Sequence, residues 1–151
     1  MDAAKPASGF YSPLENMDRE AVAARKFDRL GRLLSHAFAH SGEFRSRLEA
    51  AGLVSSDITS WDDFARIPPL GKKQLLALQD GGAGLARLLT GGVAGLRRIY
   101  QSPGPLYDPE GPGPDYWGWA EAFYAAGFAR GDLVQMTFSY HLTPAGLMLE
   151  E

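Results

Sequence analysis

The sequence predicts an α/β fold in which a helical first half leads into the start of a βαβ unit. Two observations carry that prediction. Apolar residues recur at helical spacing through the first eighty residues. Beyond a glycine-rich break, "LRRIYQ", "PDYWGWAEAFYAAGF" and "DLVQMTF" follow one another as strand, helix and strand. Three regions result: a helical segment over 1–80, a glycine-rich connection over 81–95, and the βαβ unit over 96–151. Its two strands are expected to be parallel and joined right-handedly. Two parallel strands do not make a stable sheet alone, so the unit reads as the incomplete beginning of a larger α/β domain.

Each element has a local reason. Residues 1–12, rich in Ala, Ser, Pro and Gly, predict an extended arm. A helix is expected over 18–39, with Phe27, Leu30, Leu34, Ala37 and Phe38 as its buried stripe. Asn16 is its expected N-cap, and Asp18 and Glu20 favour the positive end of the helix dipole. A second helix carries Phe44 and Leu48 and closes at Gly52. Ser60 caps a third, with Asp63 at the third helical position and Pro68-Pro69 stopping it. "KKQLLALQD" is a fourth helix. The tract "GGAGLARLLTGGVAG" predicts a loose connection with one helical turn at its centre.

Composition narrows the function. A chain of 151 residues with 45% apolar and 22% charged residues has the make-up of a globular domain. Net charge is −3 and charges of both signs interleave, as in "DREAVAARKFDR", so neither nucleic acid nor an anionic membrane is an expected partner. No apolar run reaches the length of a membrane span and no secretory leader opens the chain, which predicts a cytoplasmic protein. The absence of cysteine removes disulfides, thiolate metal sites and a cysteine nucleophile.

The chemistry-bearing stretches are few. "SPGPLYDPEGPGP" sits between strand and helix, where α/β enzymes hold phosphate. Five of its residues are prolines without an N–H, it contains no Lys or Arg, and Asp108 and Glu110 would repel an anion. Only Ser102 and Gly104 suit the task, and a rigid turn capped by Asp115 competes with that reading. No P-loop occurs, and the glycines of 81–95 follow a helix rather than a strand, which excludes a dinucleotide fingerprint. His36 and His40 have the spacing of a two-ligand metal pair but lack a third ligand; they read as exposed helix histidines, and no metal site is expected. Tyr140 and His141 lie just beyond the second strand, where open α/β sheets place ligands, so they are candidates for an acyl pocket or simply a packed turn. Tyr116, Trp119, Ala120 and Phe123 share one helix face and read as core, with Trp117 and Tyr124 pointing elsewhere.

The order of segments resembles the N-terminal region of phenylacetate–CoA ligases, of the adenylate-forming superfamily. The likeness rests on "FYSPLENMDRE", "RLGRLLSHAFAHSGEFRSRLEAAGL" and "DITSWDDFARIPPLGKKQLL", followed in register by "RIYQSPG" and "GDLVQMTFSYHLTPAG". It implies activation of an aryl or acyl carboxylic acid with ATP and Mg2+ to an adenylate, then transfer to coenzyme A. It also implies that this chain is well under half of such an enzyme and catalytically silent alone. Against the family's Ser/Thr/Gly-rich phosphate loop, Ser102 and Gly104 are kept. Pro103 replaces a Ser, Pro105 and Leu106 replace two Thr, and Tyr107 replaces a Gly. The loop thus occupies a nucleotide position without its hydroxyls, and no catalytic residue is assigned. A non-catalytic binding or assembly protein on the same scaffold, self-associating through the exposed sheet edge, is the alternative.

Overall fold

The computed structural model describes residues 9–80 and 84–150. Residues 1–8, on which most of the expected extended arm falls, 81–83 and 151 lie outside the described residues.

The helical half follows its local signals. Helix α1 spans Arg19–His40, with Asp18 rather than Asn16 as N-cap: its carboxylate accepts the Ala21 N–H at 2.8 Å. Asn16 instead ends a short 3₁₀ turn, Pro13–Asn16. Helix α2, Gly42–Ala50, is capped by Ser41, whose hydroxyl accepts the Phe44 N–H and donates to the Arg87 carbonyl at 3.1 Å. Helix α3, Trp61–Ala65, has the expected cap, Ser60 accepting the Asp63 N–H at 3.1 Å. Helices α4, Lys72–Gln79, and α5, Gly84–Leu88, complete the set. Gly84 is required there, because a Cβ would lie 1.8 Å from the Leu78 carbonyl oxygen.

Leu34, Leu48, Leu53 and Ile58 form the core of this half, flanked by Leu30, Phe38, Phe44 and Ile67. Leu48 is wholly buried. The stripe read from the sequence supplies Leu30, Leu34 and Phe38. Phe27 lies higher along the helix and packs edge-on against Trp61.

The second half departs from the expected βαβ unit. Strands β1, Arg98–Ser102, and β2, Leu106–Glu110, pair antiparallel with Ser102 opposite Leu106 and Arg98 opposite Glu110. The crossover is replaced by a hairpin whose loop is Pro103-Gly104-Pro105. Gly104, at φ 141°, takes a conformation that side-chain-bearing residues rarely adopt. Proline 109 is tolerated inside β2 because the neighbouring outward position, Tyr107, turns its N–H away from β1; alternation sends the Pro109 nitrogen to the same edge, where no ladder bond is lost.

Residues 132–138, expected as the second parallel strand, are not a strand. Their apolar, β-branched make-up favours extension, but strand identity needs a partner, and none is present among the described residues. The sheet edges expected to be free are each met at one point among the described residues. The outer edge of β2 is met by Gln79, and the Gln101 N–H of β1 donates to the Leu142 carbonyl at 2.7 Å. Helix α6 covers only Ala120–Ala125, and α7, Ala145–Glu150, closes the described chain. Asp115, in a left-handed conformation at φ 48°, closes the turn before α6: its carbonyl accepts the Gly118 N–H and its carboxylate the Ala120 N–H, each at 3.0 Å, while Trp119 holds the N-cap position.

Candidate functional site

Three groups of residues are brought together around the hairpin. The first is its turn. Ser102 lies at the end of β1, and its hydroxyl donates to the Leu106 carbonyl across the turn at 3.5 Å. Of the loop residues, Pro103 and Pro105 have no N–H, so Gly104 alone can offer one. Lys72, at the start of α4, reaches over the loop: its Nζ donates to the Pro103 carbonyl at 3.4 Å, and a Cβ on Gly104 would lie 3.1 Å from it. The turn therefore has one cation and one N–H, but no hydroxyl directed outward.

The second group is the polar face beneath that turn. Arg98, Tyr100 and Glu110 share the inner face of the hairpin, and Glu110 is 1% exposed. Its carboxylate accepts from Arg98 at 2.8 Å, from the Tyr100 phenol at 2.5 Å and from the Trp117 indole N–H at 3.5 Å. Arg97 stands 3.5 Å away. Burial pushes the Glu110 carboxyl up, but the hydrogen bonds from Tyr100 and Trp117 and the charge of Arg98 outweigh it and hold the group below the usual glutamate range. Burial and the Glu110 hydrogen bond raise the Tyr100 phenol. Glu110, expected to repel an anion at the loop, is instead neutralised inside the hairpin.

The third group is an open hollow of about 1300 Å³ whose walls include Tyr11, Trp119, Phe123, Tyr124, Phe128 and Tyr140, with Arg130, Asp132 and Glu150 also on them. Its rings meet in tilted and edge-on pairs: Tyr11–Tyr124 at 5.7 Å, Trp119–Phe123 at 6.0 Å and Phe123–Phe128 at 5.2 Å between centroids. Trp119 and Phe123, expected as core, face this space, as does Tyr124. Trp117 turns the other way and covers Tyr100 at 6.4 Å.

Tyr140, half exposed, lies on the wall of this hollow, its phenol raised by partial desolvation and by the neighbouring Glu150 carboxylate. His141 is not among the lining residues, and its Nδ1 accepts the Thr143 N–H at 3.4 Å. The Gln101–Leu142 hydrogen bond joins the two candidate regions, since Ser102 follows the donor and His141 precedes the acceptor. Lys72, Gln79 and Tyr11 were not among the residues singled out in the sequence. The density of aromatics from 116 to 128 is a usable signal for the cavity, whereas nothing local marks Lys72 or Gln79.

No family profile matches the chain. It is similar to the phenylacetate-coenzyme A ligase of Aromatoleum evansii, with 26% identity over 154 residues covering 97% of this chain and 34% of that protein. The chain thus spans about a third of the length of this curated relative. The similarity is distant and partial, and it runs to a ligase along almost the whole of this chain.

Proposed function

We propose that this chain is the N-terminal, acid-facing part of an acid–thiol ligase resembling phenylacetate–CoA ligase. The reaction so implied converts an aryl or acyl carboxylic acid to an adenylate with ATP and Mg2+, then to a coenzyme A thioester, in the cytoplasm. The observation that carries this reading is the coincidence of a distant likeness to about a third of that ligase, running along almost the whole of this chain, with an aromatic hollow bearing Tyr140. Flat rings at tilted angles suit an aryl group, which gains stacking contacts an alkyl chain cannot match. Tyr140 is assigned to the acid-binding wall, and His141, next along the chain, to its approach.

The turn does not fit ATP phosphates. Prolines stand where N–H groups are needed and the Ser102 hydroxyl is directed to its own hairpin. Ser102 and Gly104 are therefore assigned to a degenerate phosphate turn, and no adenylation step is assigned to this chain alone. Among the described residues no group of three or more His, Asp or Glu is placed to hold Mg2+. The same turn favours a second reading, a non-catalytic binding protein that keeps the pocket without nucleotide chemistry.

Calorimetric titration with phenylacetate and with hexanoate tests the assignment. The aryl acid is expected to bind more tightly, and Tyr140→Ala to weaken it by about fivefold, the worth of one aromatic contact near 1 kcal/mol. Equal affinity for both acids, or no change in Tyr140→Ala, refutes the pocket.

A further inference from the structure

Outside the proposed acid site, His36 and His40 form a second cluster with ligand chemistry. They lie on the last two turns of α1, both exposed, with ring centroids 4.5 Å apart and planes inclined at 41°. The backbone beneath them is held firmly. The Ser41 N–H donates to the Ala37 carbonyl at 2.8 Å, and the Arg45 guanidinium donates to the Phe38 and Ala39 carbonyls at 2.8 and 2.6 Å. The helix end that carries both imidazoles is thus fixed by bonds on either side of His40, and little order must be gained when a ligand bridges them.

We propose that His36 and His40 chelate a borderline divalent cation, Zn2+, Ni2+ or Cu2+, through one ring nitrogen each, with water filling the remaining positions. Imidazole pairs suit these ions, whereas Ca2+ and Mg2+ require oxygen donors that the cluster does not offer. Two rings already in contact on one rigid helix turn the second metal bond into an intramolecular event, which multiplies the affinity of a single imidazole by about 10²–10⁴. The two-histidine chelate needs no third protein ligand, and none is grouped with them among the described residues.

Titration of the protein with Ni2+, followed through its imidazole NMR signals, tests this independently of the acid pocket. One equivalent should perturb His36 and His40 together and leave His141 unaffected. His36→Ala and His40→Ala should each weaken binding by at least about 100-fold, and His141→Ala should leave it unchanged. Excess Ni2+ should raise Tm in the original protein and in His141→Ala but in neither of the other variants. Binding that survives either α1 variant, or that follows His141, overturns the proposal.

Discussion

Replacing Glu110 with alanine removes the acceptor on which the inner face of the hairpin converges. Tyr100, itself 3% exposed, then keeps its phenol buried without a partner, at a cost of about 1.5–3 kcal/mol. Arg98 and Arg97 are 32% and 41% exposed at their side chains, so water replaces most of what they lose. The total expected loss is about 2–3 kcal/mol, dominated by the orphaned phenol. For a chain of this length that lowers Tm by roughly 5–10 °C, readable by calorimetry or circular dichroism. Glu110→Gln keeps the volume and an acceptor and should lose less. Its folded pKa lies below the ordinary glutamate value of 4.5, so Glu110 contributes fully above that value and its contribution disappears as pH falls through the lower folded one. Tyr100 has the opposite sign: its raised phenol pKa contributes below pH 10.0 and is lost as pH rises through the folded value. A Glu110→Ala variant as stable as the original, with the same acid limb, would show that the buried network does not hold the hairpin.

The other predictions concern the supports of the site. Leu48→Ala, at a wholly buried position in the core of four, should cost about 2–5 kcal/mol in a urea melt. Gln79→Ala removes the side-chain amide that both donates to the Tyr107 carbonyl at 2.9 Å and accepts its N–H at 2.8 Å. Hydrogen exchange at the Tyr107 amide should accelerate strongly while Tyr100 and Asp108 keep their protection.

How far the sequence could be read depended on the range of the signals. Ser60 with Asp63, the α1 stripe and the Asp115 turn act within a turn or two of helix, and each is visible as a pattern of neighbouring residue types. The hairpin was also marked, by a Pro-Gly pair between "RIYQS" and "LYDPE", but the density of prolines made the second run look like loop. Residues 132–138 show the converse. Their composition favours a strand, and only a distant partner decides whether one forms. Lys72 and Gln79 act across 31 and 28 residues of chain, a distance over which no spacing rule operates. The aromatic hollow was half legible: the density of rings from 116 to 128 is visible in the sequence, whereas the approach of Tyr11 and Tyr140 appears only in the folded arrangement.

Chemical-shift mapping of the isotopically labelled protein during titration with phenylacetate tests the central claim most directly. Saturable shifts confined to the surroundings of Trp119, Phe123, Phe128 and Tyr140, with Ser102 and Gly104 silent, are the predicted result. Shifts centred on the hairpin turn, or none that saturate, would contradict an acid-binding role for the aromatic cavity.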